Sequence, residues 1–324
     1  MKEIKVEDAV GQVLFHDVTE IIRGVTKGAR FRKGHIIAAE DIPVLLKLGK
    51  ENIFVCDFDD ETKLHENDAA EILKNICQGE NLSASEVKEG KIELAAAFDG
   101  VFHVDEETLY KINDVEEICI ATLKNKIPVR KGKTVAGMRV IPLIIDKAKM
   151  DAVKNLAGNE PLMKILPYKN FKVGLIVTGS EIFHGRIEDT FSPVIDVKLK
   201  NFGLKIDERR VSDDSTAMTK NFIDELLNLG MEMILCTGGM SVDPDDKTPA
   251  AIRASASKVV TYGVPVLPGA MFMLAYKDDV PIMGLPGCVM YCAKTIFDLV
   301  LPRILTGETL TRKDFVSMGV GGLI

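Results

Sequence analysis

The chain has 324 residues, a length that predicts two or three domains. The net charge of −7 and the absence of Trp argue against a general nucleic-acid binder, which needs a basic surface and often aromatic stacking platforms. No apolar run is long enough to cross a bilayer, and the opening residues MKEIKVEDAV lack the apolar core of a signal peptide. We therefore expect a cytoplasmic protein with reduced thiols and no nucleic-acid or membrane partner.

The first segment of the chain predicts an α+β module. The sequence IPVLLKL at 42–48 favours a short helix that ends at Gly49, and NIFVC at 52–56 favours a strand. Residues 75–90 mix Gly, Ser, Asn and charged side chains, which is typical of a loop or helix end. We therefore assign residues 1–90 to this module.

The second segment predicts a β-rich module. The stretches IELAAAF, EICIATL and IPVRKGKTVAGMRVIPLII have strand-like composition, and glycines punctuate the last of them. Residues 146–156 predict a connecting helix, and residues 158–170, with two prolines, predict a linker. This gives a β-rich module with its helix at 91–165 and a last domain at 166–324.

From Phe171 onward, predicted strands alternate with predicted helices. The apolar run VGLIV at 173–177 indicates a strand buried on both faces. Ser192-Pro193 and Thr248-Pro249 each place a capping residue before a proline, a pattern typical of helix starts. The remaining expected elements are strands at 204–211, 231–236 and 280–283 and helices at 215–229 and 287–301. The repeat predicts an α/β domain with a mainly parallel sheet and helices on both faces.

Three loops at the carboxyl ends of these strands have the composition of a binding site. They are Thr178-Gly179-Ser180-Glu181, the stretch 237–249 that opens with Thr237-Gly238-Gly239-Met240-Ser241, and Gly284-Leu285-Pro286-Gly287. Ligands of such sheets bind beyond the carboxyl ends of the strands. Glycines allow close backbone approach, hydroxyls can donate to anionic oxygens, and helix starts favour phosphate. The loops therefore predict a site for a phosphate-bearing small molecule.

Carboxylates accompany these loops and suggest a hard cation such as Mg²⁺. The candidates are Glu181, Asp213, Asp214, Asp243, Asp245 and Asp246. Each feature also has a structural interpretation: the glycine-containing segments can be ordinary turns, Asp213-Asp214 a helix cap, and 243–246 a solvated loop. The occurrence of three such loops in one domain favours the small-ligand site.

The motifs resemble a known domain family. VTGSE (177–181), VSDD (211–214), TGGMS (237–241), DDKTP (245–249) and GLPG (284–287) occur in the order found in the molybdopterin-binding domain. This domain is shared by molybdopterin adenylyltransferases, molybdopterin molybdotransferases and both ends of gephyrin. VEDAVGQVLFHDVT (6–19) and FRKGHIIAAEDIPVLLKLG (31–49) are similar to the molybdotransferase N-terminal region.

The resemblance implies a three-layer α/β/α domain and a ligand that is a pterin dithiolene phosphate. It implies an enzyme, a molybdotransferase or adenylyltransferase-like transferase of molybdenum cofactor biosynthesis that uses Mg²⁺, molybdopterin with an ATP or AMP moiety, and molybdate. Homo-oligomers are common among such proteins. Carried over by position, Asp213 and Asp246 would be catalytic, and Asp246 and Glu181 would handle the metal. The residues expected to line the pterin phosphate pocket are Thr178, Gly179, Ser180, Glu181, Thr237, Gly238, Gly239, Ser241, Pro286 and Gly287.

Two other functions stay open at this point. Cys288-Val289 follows GLPG where molybdotransferases carry Asn-Pro, which leaves room for a non-catalytic carrier or sensor of molybdopterin. GRIEDT at 185–190 is similar to the first loop of the competence-damage-inducible nucleotide pyrophosphatases, which share a related domain. A carrier or sensor would bind without releasing a product, and a pyrophosphatase would release AMP from ADP-ribose.

Overall fold

The computed structural model describes residues 2–22, 26–55 and 62–324, which divide into two compact units. Unit 1 comprises Met1–Ala97, His103–Asn125 and Gly132–Lys164, and unit 2 comprises Phe98–Phe102, Lys126–Lys131 and Ile165–Ile324. Among the described residues no helix combines the length and apolarity that crossing a membrane requires. The division at 90 and 165 into three domains stays a prediction.

The chain as far as residue 167 forms short strands and helices. In order these are β1 Lys2–Lys5, β2 Val18–Ile22, β3 Thr26–Phe31, α1 Asp41–Lys47, β4 Asn52–Val55, β5 Lys63–His65, α2 Glu66–Cys77, β6 Leu82–Ala84, β7 Ile92–Ala96, β8 Gly100–Val104, α3 Glu106–Asn113, β9 Ile118–Thr122, β10 Ile127–Val129, β11 Thr134–Val140, β12 Ile144–Asp146, α4 Lys147–Ala157 and β13 Met163–Pro167. The predicted helix at 42–48 and strand at 52–56 are confirmed as α1 and β4, although Cys56 lies outside the described residues.

Antiparallel pairing organises unit 1. Strands β1 and β4 pair, β2 and β3 form a hairpin, and β6-β7-β11-β9 form a four-stranded sheet. Strand β7 alternates buried and half-buried residues, so its apolar side chains Ile92, Leu94 and Ala96 face the interior. The glycine-punctuated segment is confirmed as β strands. Helix α3 begins after Asp105, an N-cap residue whose side chain accepts from Thr108 N–H at 3.2 Å.

Unit 2 continues with the alternating elements expected from the sequence. They are β14 Val173–Thr178, α5 Ser180–Phe183, α6 Phe191–Lys200, β15 Ile206–Ser212, α7 Thr216–Asn228, β16 Met233–Thr237, α8 Thr248–Ser255, β17 Lys258–Tyr262, β18 Met273–Lys277, β19 Val280–Leu285, α9 Ile296–Leu305 and α10 Arg312–Ser317. The six-stranded sheet has the order β15-β14-β16-β19-β18-β17. Strands β15, β14, β16 and β19 run parallel, and β18 is antiparallel to both of its neighbours.

Helices cover both faces of this sheet. On one face Leu175 and Val177 share a buried cluster with Ile195 of α6 and Val300 of α9. On the other face, Ile176 packs in a cluster with residues of α7 and α8. Strand β14 is buried along its whole length, because side chains on both sides of the sheet meet a helix layer. The predicted three-layer α/β/α fold is confirmed.

Three predictions about elements were wrong. The expected helix at 287–301 is a short 3₁₀ turn, Gly287–Met290, followed by a separate helix α9 that begins after Thr295. Thr295 and Asp298 form a capping box, a local signal that starts a new helix. The expected linker at 158–170 contains strand β13, and the antiparallel strands β17 and β18 were not expected.

Candidate functional site

Four loops leave the same edge of the sheet. Three are the loops named above, which follow β14, β16 and β19, and the fourth follows β15. In the parallel register, Val177 of β14 lies opposite Thr237 of β16, and Thr237 lies opposite Leu285 of β19. On the other side of β14, Thr178 lies opposite Ser212 of β15. The strands end level with one another, so the loops that follow them form one rim at the carboxyl edge.

Two of these loops meet at a cleft of about 420 Å³. The second loop, residues 237–249, and the GLPG segment, residues 284–287, face each other across this cleft. Residues 269–271, which precede β18, form one side of it. The lining residues are Gly238, Gly239, Met240, Ser241, Asp246, Gly269, Ala270, Met271, Pro286, Gly287, Cys288 and Tyr291. The structure therefore brings together the expected Gly238, Gly239, Ser241, Asp246, Pro286 and Gly287. Thr178, Gly179, Ser180, Glu181 and Thr237 do not line this cleft.

The TGG turn packs tightly against the first loop. Gly238 has φ +84°, and a Cβ at this position would lie 2.1 Å from the carbonyl oxygen of Thr178. Gly239 has φ +55°, and its Cβ would lie 3.0 Å from the Thr248 hydroxyl. The protein's own backbone therefore requires glycine at position 238, where a side chain would collide, and favours it at position 239, where the angle is rarely adopted by other residues and the contact would be tight. This constraint holds whether or not a ligand approaches them.

Threonine hydroxyls brace the same turn from beneath. Thr178 Oγ1 donates to the Thr237 carbonyl oxygen at 3.1 Å and lies 3.1 Å from Thr248 Oγ1. Thr248 Oγ1 in turn donates to the Gly238 carbonyl oxygen at 2.9 Å. Thr178, Thr237 and Thr248 are all buried. The hydroxyls of Thr178 and Thr248 fix the position of the second loop. A direct contact of Thr178 or Thr237 with a ligand stays a prediction.

The first loop is tied to the loop after β15. Ser180 N–H donates to Asp214 Oδ2 at 3.0 Å, and Ser215 N–H donates to Asp213 Oδ1 at 2.8 Å. Ser215 is the N-cap of α7, where its hydroxyl accepts from Met218 N–H at 3.4 Å. Asp213 and Asp214 therefore both support local turns. The catalytic role predicted for Asp213, and cation binding by either aspartate, would come in addition to these structural roles.

Asp246 is the carboxylate that reaches the cleft. It is half-buried, and its Oδ2 accepts from Asp243 N–H at 2.9 Å, which closes a tight turn. Asp243 and Asp245 are exposed, as is Glu181 in the first loop. Across the described ranges no three His, Cys, Asp or Glu side chains gather as they would around a metal ion. A cation bound here would depend on Asp246 and on oxygens supplied by the ligand.

Sequence reasoning did not find Tyr262, which holds the second loop from the side. Its hydroxyl lies 3.1 Å from the carbonyl oxygens of both Met240 and Ser241. The Arg253 guanidinium lies over the Tyr262 ring, 5.1 Å from its centroid. Burial raises the pKa of Tyr262, so its hydroxyl stays protonated and able to donate. An aromatic residue in an unexpected edge strand gave no local signal of this contact.

Cys288 is another lining residue outside the predicted set. Burial raises the pKa of its thiol, and the nearby Cys292 thiol raises it further. The Cys288 side chain is therefore a neutral thiol near neutral pH and a poor nucleophile. It contributes a soft, apolar surface beside Gly287 rather than a charge.

Comparison with known families decides the domain type. Residues 174–306 match the family described as "Probable molybdopterin binding domain". The C-terminal domain is of the molybdopterin-binding type. Residues 3–57 match a different family, described as "Domain of unknown function (DUF8806)". The molybdopterin-binding-type domain thus accounts for the cleft and for all of the loops described above.

Curated relatives resemble this chain in part. The molybdopterin molybdenumtransferase of Staphylococcus epidermidis is 25% identical over 127 residues, which cover 37% of this chain and 30% of that protein. The molybdenum cofactor synthesis protein cinnamon of Drosophila melanogaster is 26% identical over 140 residues, 41% of this chain and 23% of that protein. A CinA-like protein of Syntrophus aciditrophicus is 30% identical over 81 residues, 25% of this chain and 19% of that protein. The chain therefore spans less than a third of each of these relatives.

Solved structures give weaker similarity. The molybdopterin biosynthesis enzyme MoaB of Thermus thermophilus aligns over 43% of this chain and 98% of its own, with 22% identity and a TM-score of 0.37. The molybdopterin biosynthesis Mog protein of Mycobacterium ulcerans aligns over 41% and 92%, with 17% identity and a TM-score of 0.35.

Proposed function

We propose that the molybdopterin-binding-type domain holds molybdopterin, or its adenylylated form, in the cleft between the TGGMS and GLPG loops. The protein would act as a molybdotransferase-like transferase of molybdenum cofactor biosynthesis. The observation that carries this proposal is the meeting of two loops from adjacent parallel strands at one cleft of about 420 Å³. This is the position at which open α/β sheets bind their ligands.

The cleft has features suited to a phosphate-bearing ligand. Gly287 is exposed, and no protein atom lies within 4 Å of the place where its Cβ would stand. A ligand can therefore approach the backbone there without meeting a side chain. Ser241 is exposed on the facing loop and offers a hydroxyl donor. Together they support contacts to the anionic end of the molecule.

Asp246 fits a magnesium ion held mainly by the ligand. Mg²⁺ usually retains several waters and binds through one or two carboxylates together with substrate phosphates. A single half-buried carboxylate beside an open glycine loop matches that requirement. When bound, Mg²⁺ would stabilise negative charge on phosphoryl oxygens. The roles of Asp213, Glu181 and an ATP or AMP moiety are further parts of this proposal, as are molybdate as substrate, self-association and a cytoplasmic location.

Two measurements test the proposal in sequence. Isothermal titration of the full chain with molybdopterin should show binding that strengthens when Mg²⁺ is present. Adenylylated molybdopterin should then release AMP when molybdate is added. An absence of binding in the titration would sink the proposal. Binding without AMP release would instead identify a carrier or sensor.

One observation favours testing a second activity. A CinA-like protein is 30% identical over 81 residues, and this chain also carries the GRIEDT segment at 185–190. We propose nucleotide pyrophosphatase activity as the alternative. Incubation with ADP-ribose and Mg²⁺, followed by AMP detection, separates the two functions, because the pyrophosphatase needs neither pterin nor molybdate.

A further inference from the structure

A second large cavity lies in unit 1, and its lining shares no residue with the cleft described above. It measures about 650 Å³, within the range of small-molecule sites. Strands β1, β2, β4 and β11, the start of α2 and the segment 141–143 surround it. The lining residues are Glu3, His16, Asp17, Thr19, Ile21, Lys50, Asn52, Ile53, Phe54, Glu66, Glu89, Arg139, Ile141 and Leu143.

A buried carboxylate at the first position of α2 is the main polar feature of this cavity. Glu66 is 8% exposed, and its backbone N–H donates to the Leu143 carbonyl oxygen at 2.9 Å. Gly90 passes directly over the side chain, since a Cβ on Gly90 would lie 2.4 Å from Glu66 Oε2. The fold therefore holds this carboxylate next to Gly90, and Glu66 is among the residues that line the cavity.

The backbone next to Glu66 is fixed by a buried histidine. His65 is 2% exposed, and burial lowers its pKa, so the ring is neutral near neutral pH. Its Nδ1 accepts from Asn67 N–H at 3.1 Å, and its Nε2 lies 3.1 Å from the Phe15 carbonyl oxygen. A neutral ring with one acceptor and one donor satisfies both contacts. Helix α2 thus begins at a rigid point.

The counter-charge that the described residues give to Glu66 is incomplete. Over the described ranges its carboxylate has a single ion pair, a 3.5 Å contact between Oε2 and Arg139 Nη2, which is at the outer limit of a hydrogen bond. Burial raises the pKa of Glu66, and Asp17 and Glu89 raise it further, while Arg139 and Lys33 lower it. A buried carboxylate in this situation gains stability from an added positive charge.

The rest of the lining has an acidic excess and an apolar wall. Four carboxylates, Glu3, Asp17, Glu66 and Glu89, face two basic side chains, Lys50 and Arg139. Ile53 and Phe54 of β4, together with Leu143, supply an apolar surface next to these charges. Low-dielectric walls strengthen the field that the carboxylates produce. The cavity therefore selects for positive charge attached to an apolar body.

We propose that this cavity is a binding site for a small organic cation, an amine or guanidine on an apolar group, whose charge pairs with Glu66. The site is independent of the function proposed for the C-terminal domain. Molecules of this class bind by an ion pair at Glu66 and by burial of their apolar part against Phe54 and Leu143.

The test uses three probes of similar size that carry a positive charge, no charge and a negative charge: benzylamine, benzyl alcohol and benzoate. Ligand-observed NMR titration of the full chain should show saturable binding of benzylamine, weaker binding of benzyl alcohol and none of benzoate. Glu66→Gln should weaken benzylamine binding at least tenfold. Glu71→Gln, on the same helix but outside the cavity lining, should leave it unchanged.

A second pair of variants keeps the test valid if Glu66→Gln fails to fold. Ile141 is 61% exposed and lines the cavity, so charged side chains are tolerated there. Ile141→Lys should weaken benzylamine binding at least fivefold, and Ile141→Glu should retain or strengthen it. Equal effects of these two substitutions, equal binding of benzoate, or no binding of benzylamine to the natural protein would overturn the proposal.

Discussion

At Gly238 the backbone of the second loop comes so close to Thr178 that a side chain has no space. We expect Gly238→Ala to lower the free energy of unfolding by about 2 kcal/mol or more, because the alanine would have φ +84° and meet the Thr178 carbonyl oxygen. Urea unfolding followed by circular dichroism measures this. Gly287→Ala is the matched control, with no atom near its Cβ and an expected change within about 0.5 kcal/mol. Equal losses in both variants would contradict the packing argument.

We expect the Asp246 side chain to matter much more for activity than for stability. We expect Asp246→Ala to abolish AMP release while costing only about 1 kcal/mol of unfolding free energy, the contribution of its bond to Asp243 N–H. Asp245→Ala changes an exposed neighbour that does not line the cleft, and it should keep full activity. Global unfolding of Asp246→Ala, seen by circular dichroism, would show that the residue is structural instead.

Residues of the cleft could be anticipated from the sequence where a glycine or a polar side chain comes shortly after a parallel strand. Gly238, Gly239, Ser241, Asp246, Pro286 and Gly287 line one cleft because each follows a parallel strand, and parallel strands end at one edge. Thr178 and Thr237 are the last residues of β14 and β16, yet both are buried, and their hydroxyls donate to the carbonyl oxygens of Thr237 and Ile176. The direction of a side chain depends on packing, which residue type does not encode. Tyr262 was missed for the same reason.

Among the elements, α10 depends on a buried ion cluster. Arg303, 4% exposed on α9, pairs through Nη2 with Glu308 Oε1 and Asp314 Oδ1, each at 2.6 Å. Lys126 Nζ lies 3.0 Å from Asp314 Oδ1. Burial alone would raise the pKa of both carboxyls, but the hydrogen bonds and charge of Arg303 hold them below their usual range.

The depressed pKa values fix how stability depends on pH. A carboxyl whose pKa is lower in the folded state stabilises the fold above its unfolded pKa, about 4, and loses that contribution as the pH falls further. We expect the free energy of unfolding to be steady from neutral pH to about pH 5 and to fall below that value. Asp314→Asn should cost roughly 2 kcal/mol at neutral pH and flatten the acid slope.

Asp151→Asn is the control for that experiment, because its pair with Lys154 is about half exposed and contributes little. Urea unfolding across the pH series measures all three proteins. The same acid slope in Asp314→Asn as in the natural chain would show that other groups govern the transition.

Elements were predictable wherever a local signal marks their ends. Pro249 lies in the first turn of α8 and Ser215 caps α7, as expected. The expected caps Ser192 and Thr248 were wrong, because α6 and α8 begin earlier and their N-cap residues are Thr190 and Lys247. The break between Met290 and Ile296 was missed, since no Gly or Pro marks it and the Thr295–Asp298 capping box was not weighed. Strands β17 and β18 were missed because an antiparallel edge departs from the repeating β–α pattern.

For the whole molecule, the units do not follow the order of the chain. Strand β10 pairs with β8, with Val129 opposite Gly100, and the Tyr168 hydroxyl donates to the Gly100 carbonyl oxygen at 3.0 Å. These contacts lie within unit 2, although β8 and β10 precede residue 165. A division of the sequence into consecutive modules could not anticipate this, because local composition carries no record of distant pairing.

A fragment of residues 166–324 tests this arrangement. It lacks β8 and β10, so we expect it to unfold at a lower urea concentration than unit 2 of the full chain. Tyr168→Phe should destabilise the full chain by about 1 kcal/mol and leave the fragment unchanged, because only the full chain offers the Gly100 carbonyl. Urea titration with pulse proteolysis measures the stability of the full chain and of the fragment, each with and without Tyr168→Phe. Equal stability of fragment and full chain would instead support a domain boundary at 165.

The placement of β10 and of the first residues of β8 in unit 2 also affects how the protein is made. Both strands leave the ribosome long before α9, which packs against β10. During translation the apolar side chains of Phe102 and Val129, both buried in the finished protein, have no partners from the later part of unit 2. Newly synthesised chains halted before residue 296 are therefore candidates for chaperone capture.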